Sequence, residues 1–309
     1  MIEALELTRR YGSVLAVDRV SFDVRPRQIV GLLGPNGAGK TTILKMLTGY
    51  HYPQAGSARI GEFDIVAEPV EAKRRLGYLP ENAPAYGALT ADEYLGFVCT
   101  ARGLSRPARR RAMERVAGLC GISSVWRRPI SELSKGFRQR VGLAQALVHD
   151  PEVVILDEPT SGLDPNQIRE VRRIVDGLGQ QKTVLLSTHI LSEAEAVCDR
   201  VLILDDGRIV ASGTSAQIAS QLQSGTVVAV SFNRPLQPDE RRSLARVGET
   251  IGEQPDGDVI TVRLVLGDDR DAGDVFDWAV EHGVRLKAVV PERESLEELF
   301  ARLTVGGDP

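Results

Sequence analysis

The chain has 309 residues, of which 42% are hydrophobic and 26% charged, with 38 Lys and Arg against 42 Asp and Glu for a net charge of −4. This is the composition of folded protein at a length suited to about two domains; it excludes disordered and low-complexity classes, and the slight acidic excess argues against a general nucleic-acid binder. The opening MIEALELTRR lacks a signal-peptide core, no run approaches the ~18 apolar residues of a spanning helix, and Cys99, Cys120 and Cys198 form no disulfide or zinc pattern, so the expectation is a chain of a reducing compartment that does not itself cross a membrane.

In chain order, the first strong element is the apolar run Gln28 to Leu33, which meets a Gly-rich turn and then TTILKMLTG, helically spaced up to Gly49. Thr90 with Glu93 predicts a capping box opening a helix to about Arg102, and Arg106 to Cys120 predicts a second, so a helical insertion spans about 84–130. Its basic residues Arg102, Arg106, Arg109, Arg110, Arg111 and Arg115 read first as a solvated helix face, and second as an attractor of anionic headgroups or an acidic partner loop. The apolar strand Val153 to Leu156 leads to a helix over Asn166 to Leu178, and the strand Thr183 to Ser187 to a helix over Ser192 to Val197. A strand from Arg200 to Asp205 then turns at Asp206-Gly207 into Arg208 to Ser212. Strands alternating with helices predict an α/β domain with a mostly parallel sheet and a terminal hairpin.

Near Gln221 to Gly225 both charge and periodicity change. Gly225 to Pro309 holds 17 acidic and 10 basic residues, net −7, while the part before it holds 25 acidic and 28 basic, net +3. Domains are therefore expected at 1–222 and 223–309. The tail reads as strand (Val227 to Phe232), helix (Pro238 to Val247), strands (Ile251 to Gln254, Val259 to Leu266), helix (Asp271 to His282) and strand (Val284 to Val290), before a last helix from Ser295 to Thr304. That order suits a small ferredoxin-like α+β unit with a regulatory or dimer-supporting role.

Chemistry concentrates in two motifs. Gly34 to Thr41, GPNGAGKT, matches the phosphate loop G-x-x-x-x-G-K-[ST] between a strand and a helix, which makes Gly34, Pro35, Asn36, Gly37, Ala38, Gly39, Lys40, Thr41 and the adjoining Thr42 candidate nucleotide contacts. Lys40 suits β/γ-phosphates and the Thr41 hydroxyl a magnesium ion. The strand Val153 to Leu156 ends in Asp157 and Glu158, two acids whose burial calls for a cation: Asp157 suits the metal, Glu158 an attacking water.

Between the motifs lies LSKGFRQR, Leu133 to Arg140, and here the sequence resembles the nucleotide-binding subunits of ABC transporters, whose signature is usually LSGGQ. Leu133, Ser134 and Gly136 are kept; Lys135 and Phe137 depart. The resemblance covers about the first 220 positions. It implies that Tyr11 stacks on adenine, that Ser161 to Asp164 is the loop meeting the opposite subunit, that His189 contacts the γ-phosphate, and that Glu81 stands in GYLPEN where most members place a magnesium-coordinating Gln. PENAP, LSKGFRQRVGLAQAL and EPTSGLDPNQ look like the ABC-2-type export branch, in particular its gliding-motility-like subfamily.

The fold so implied is a P-loop NTPase ABC-type nucleotide-binding domain with a helical insertion. The implied function is an ATP-binding, ATP-hydrolysing transporter subunit, using ATP and Mg2+, peripheral at the inner face of the cell membrane. Two copies would pack head to tail, Lys40, Thr41, Asp157, Glu158 and His189 of one facing Ser134, Gly136 and Asp164 of the other, and would drive separate membrane-spanning permease subunits docked on the insertion and the Glu81 loop. The rival is a soluble ABC-type ATPase acting on nucleic acid or ribosomes. A single motif set, no sustained heptads and the acidic balance weigh against it, so no nucleic acid is expected.

Overall fold

The computed structural model describes residues 1–82, 86–222, 226–256, 259–267 and 269–292, and its backbone divides into Met1–Ser215 and Ala216–Pro309. The first unit begins with strands β1 (Ile2–Tyr11), β2 (Val14–Val24) and β3 (Ile29–Leu33) and helix α1 (Lys40–Leu47). Next come β4 (Ala55–Ile60), β5 (Phe63–Asp64), α2 (Pro69–Arg74) and β6 (Leu76–Leu79), then three helices, α3 (Ala91–Ala101), α4 (Arg106–Leu119) and α5 (Lys135–Leu147). Strand and helix alternate from there through β7 (Val153–Asp157), α6 (Pro165–Gly179), β8 (Thr183–Thr188), α7 (Leu191–Val197) and β9 (Arg200–Asp205), and β10 (Arg208–Gly213) precedes α8 (Ser215–Leu222).

Six strands form one sheet in the order β10-β9-β3-β8-β7-β6, parallel from β9 to β6. Every residue of β3, β7 and β8 is buried, which is why they read as continuous apolar runs: helices or a second sheet cover both faces of a parallel sheet. The faces separate with period two. Val153, Ile155 and Leu185 join a core with α1, whereas Val154, Leu156, Val184 and Leu186 join one with the inserted helices. Each fully buried Leu or Ile there contributes roughly 1.5–3 kcal/mol relative to exposure. The expected hairpin closes the sheet edge through Asp206 (φ 41°) and Gly207 (φ 73°), two consecutive left-handed residues that match the twist of the flanking strands.

A second, antiparallel sheet, β2-β1-β4-β5, has no counterpart among the sequence-based elements. Its Ile2, Ala4, Leu7, Val17 and Val20 pack with Ile43 and Leu44 of α1, so that α1 is held between apolar surfaces of both sheets. In the insertion the predicted capping box is present: Thr90 N donates to Glu93 Oε2 at 2.9 Å. Cys99 and Cys120 are buried and unpaired, and burial pushes the Cys120 thiol up to about 12, so it behaves as a small apolar side chain.

The second unit begins within α8, from Ala216, and continues through β11 (Thr226–Phe232), α9 (Pro238–Leu244), β12 (Gly248–Asp256), β13 (Val259–Leu266), α10 (Ala272–Glu281) and β14 (Leu286–Glu292). Its four strands pair antiparallel in the order β12-β13-β11-β14. Alternating residues of β13, Ile260, Val262, Leu264 and Leu266, meet Phe232 and Trp278 in its core, and Trp278 Nε1 donates to Ser243 Oγ at 2.9 Å. Glu240, gripped through both carboxylate oxygens by Arg234 at 2.6 and 2.8 Å, also caps α9; the Arg234 hydrogen bond, then the Gln237 N–H, hold its carboxyl down at about 2. The expected helix from Ser295 to Thr304 lies outside the described residues, as does Pro84 of the insertion.

Candidate functional site

The carboxyl ends of β3, β7 and β8 and the loop before α1 surround a cavity of about 430 Å³ lined by Ala16, Asn36, Gly37, Gly39, Lys40, Thr41, Thr42, Glu81, Glu158, Ser161 and His189. Ligands of open α/β sheets bind at this end of the strands. The loop geometry demands glycine at position 39: its φ is 104°, and a Cβ there would lie 2.4 Å from Ala16 O. Helix α1 starts immediately after it with no side-chain cap and no acid in its first turn. Its first N–H groups and the positive end of its dipole are therefore available to an anion. Ala38, 3% exposed, completes the turn by donating its N–H to Pro35 O at 3.3 Å.

Lys40, 5% exposed, donates from Nζ to Gly34 O at 2.7 Å and to Pro35 O at 3.0 Å, and stands 3.8 Å from Glu158 Oε1. Burial pushes the ammonium's pKa down, while the carboxylates of Glu158, Asp157 and Glu81 oppose that shift. Across from it, Asp157 Oδ1 accepts from Ser187 Oγ at 2.6 Å and from Thr41 Oγ1 at 3.3 Å. Burial raises the pKa of this carboxyl, against those two hydrogen bonds. Glu158 follows with a left-handed φ of 46°; its N–H donates to Ser187 Oγ at 2.9 Å, and its Oε2 lies 3.1 Å from His189 Nδ1. A left-handed non-glycine residue at a strand end is strained, and here that geometry aims a carboxylate into the cavity.

Thr41 and Asp157 offer hard oxygens side by side, and the described residues contain no cluster of three or more metal-ligating side chains. This donor set fits Mg2+, which binds through one or two protein oxygens and takes the rest of its octahedron from phosphate and water. Glu81 reaches the same cavity from the loop after β6.

The other expected site residues lie elsewhere. Tyr11 does not line the cavity; it is 41% exposed at the end of β1, under the Arg9 guanidinium at 5.1 Å and edge-on to His51 at 5.9 Å. Ser134 and Asp164 are exposed helix caps: Ser134 Oγ accepts from Phe137 N at 3.4 Å at the start of α5, and Asp164 from Asn166 N and Gln167 N at 2.9 and 3.0 Å at the start of α6. The two loops adjoin, with Gly136 against the Gln167 side chain and the Lys135 ammonium against Gly162, and Ser134, Gly136 and Asp164 do not line the phosphate-loop cavity of their own chain. The arginines of the insertion are dispersed among local partners: Arg102 on Lys73 O, Arg110 on Glu114, Arg115 on Leu147 O. Ser187 and Ala16 are site residues that sequence reasoning missed, while Ser161, expected in the loop meeting the opposite subunit, lines the cavity of its own chain. Ser187 carried a weak signal, a hydroxyl at the end of a buried strand two residues before His189.

Residues 17–161 match the family model described as ABC transporter. The chain is 38% identical over 222 residues to the probable multidrug ABC transporter ATP-binding protein YbhF of Escherichia coli (strain K12), covering 72% of this chain and 38% of that protein's length. It is 31% identical over 315 residues to the linearmycin resistance ATP-binding protein LnrL of Bacillus subtilis (strain 168), covering 98% of both, and 31% identical over 313 residues to the bacitracin transport ATP-binding protein BcrA of Bacillus licheniformis, covering 99% of this chain and 98% of that one. A solved structure of the ATP-binding subunit of an ABC transporter superposes with a TM-score of 0.66 at 32% identity, over 72% of this chain and 92% of that one. The dimeric bacterial ABC transporter cassette MJ0796, at 23% identity and a TM-score of 0.63 over 69% and 98% of the two chains, shares the fold.

Proposed function

We propose, because this chain belongs to the family of ABC transporter ATP-binding proteins, that it binds and hydrolyses ATP to drive an exporter of the ABC-2 type, of the gliding-motility-like branch. The observation that carries this reading is the convergence of Lys40, Asp157, Glu158 and His189 on the free N-terminus of α1. Lys40 Nζ, held by two loop carbonyls, exchanges them for the β- and γ-phosphate oxygens, and the N–H groups from Asn36 to Thr42 take up the remaining phosphate charge. Thr41 Oγ1 and Asp157, with Glu81 reaching the same cavity, would hold Mg2+, and the ion would supply positive charge that offsets the charge of the triphosphate. Glu158 orients the attacking water and accepts its proton, and His189 holds Glu158 and meets the γ-phosphate.

The site has donors on one wall, so the second wall is supplied by another copy. Ser134 and Asp164 sit exposed at helix starts, with Gly136 buried beside Ser134, where an N–H and a hydroxyl suit an anion, and head-to-tail pairing of two copies puts them across ATP from Lys40. The dimeric MJ0796 cassette supports this assembly. Closure completes the catalytic set, and loss of the γ-phosphate reopens it.

Among the described residues no helix is long and apolar enough to cross a membrane. In this reading, which follows the family, motion is delivered to separate membrane-spanning subunits, with the chain peripheral at the cytoplasmic face and no nucleic acid involved. The relatives named for multidrug transport, linearmycin resistance and bacitracin transport support export. Residues 223–309 we take as an accessory domain, in a regulatory or dimer-supporting role, and the β-α-β-β-α-β order and sheet order of its described elements, from Thr226 to Glu292, we read as ferredoxin-like. A pull-down from detergent-solubilised membranes tests the reading: a multispanning protein is expected to co-purify, and ribosomes or DNA without any membrane protein would overturn it.

A further inference from the structure

Behind the cavity wall a buried carboxylate joins the two segments that carry Glu158 and His189. Glu193 of α7 is 6% exposed, and its Oε2 accepts from Thr160 Oγ1 at 2.5 Å and from Thr188 Oγ1 at 3.2 Å. Thr160 lies two residues after Glu158, and Thr188 immediately before His189; both are buried. Thr188 Oγ1 accepts in turn from Ile190 N at 3.0 Å, so Ile190, on the other side of His189, is linked to Glu193 through Thr188. Arg172 of α6 lines the same small cavity of about 20 Å³, which places a permanent cation near the carboxylate.

A carboxylate at this depth is unfavourable unless several donors satisfy it, and an apolar side chain would fill the space more simply. The positions of its two donors point to its use. One hydroxyl fixes the loop leaving β7, the other the end of β8, and the 3.1 Å contact between Glu158 Oε2 and His189 Nδ1 depends on the relative position of those loops. A two-point tether on one oxygen sets that position more rigidly than packing alone.

We propose that Glu193 is a positioning residue for hydrolysis, acting through Thr160 and Thr188 to hold Glu158 and His189 in register. This rests on the ATPase reading above. Glu193→Ala is expected to lower kcat by ~10–100-fold, the range for a small misplacement of reacting groups. KM for ATP stays within about threefold, because the phosphate loop and Lys40 are not touched by the tether. In a His189→Ala background the same substitution produces no further loss, since two changes acting through one contact are not additive. Thr160→Val removes one arm of the tether and shifts kcat in the same direction, so the test does not depend on Glu193→Ala folding. An unchanged kcat in both variants, a loss carried by KM, or full multiplicativity with His189→Ala overturns the assignment. The 15N-labelled ring resonances of His189 in nucleotide-free protein give a readout independent of turnover: they shift in Glu193→Ala and Thr160→Val if the tether sets the contact, and unmoved resonances overturn it. A wild-type chain that hydrolyses nothing refutes the ATPase reading instead, and the resonances still decide the tether.

Discussion

Glu158→Gln is expected to bind Mg-ATP, fail to hydrolyse it and accumulate as a closed dimer. The substitution keeps size and shape, and the backbone that places residue 158, with its N–H on Ser187 Oγ, is left intact. What disappears is a carboxylate able to accept the proton of the attacking water, and removing a general base lowers turnover by about 10²–10⁴-fold. Affinity does not fall, because the variant also removes a negative charge 3.8 Å from the Lys40 ammonium, beside the expected place of the triphosphate. Phosphate release measures the first effect, equilibrium nucleotide binding the second, and sedimentation in Mg-ATP the third. Undiminished steady-state turnover would remove Glu158 from the mechanism.

Lys40→Ala acts on the preceding step. Lys40 is buried against two loop carbonyls and three carboxylates pull on its charge, so the ammonium is preorganised where phosphate oxygens arrive. Hydrogen bonds to charged groups contribute about 1.5–3 kcal/mol each, and the loss of one corresponds to roughly 10–150-fold weaker ATP binding. Equilibrium binding of Mg-ATP reads this directly, with a thermal melt confirming that the variant folds. Affinity equal to wild type would mean that the loop holds phosphate through backbone N–H groups alone.

The difference between these two effects reflects what the sequence made legible. The phosphate loop and the acids after Val153 to Leu156 are contiguous motifs, and the strands carrying them are short, fully buried and apolar throughout, so both chemistry and fold could be read locally. Ser187 became a site residue through register: β7 and β8 pair Asp157 with Ser187, a relation between positions 30 residues apart that spacing along the chain does not reveal. Ala16 belongs to a sheet that pattern reading missed. In β1 the pairing with β2 shifts register between Ala4 and Leu7 and again toward Arg10, with Glu6 and Arg19 at positive φ, so alternation is interrupted where a period-two search needs it. Strand β6, four residues long, was too short to stand out beside the insertion that follows. Tyr11 at the end of β1 packs against Arg9 and His51 and keeps part of its ring exposed, surroundings that its place in the sequence does not reveal.

The central claim is that each ATP is held between the phosphate loop of one copy and the Ser134 loop of another. Mixing Lys40→Ala and Ser134→Arg at ATP well below the weakened Kd of Lys40→Ala, where that variant's sites stay empty and the inserted arginine blocks those of the other, tests it most directly through the rate of phosphate release. A head-to-tail heterodimer has one site carrying both lesions and one carrying neither, so turnover is predicted to appear on mixing although each variant alone is inactive. A mixture that forms heterodimers and stays as inactive as its components would contradict the account.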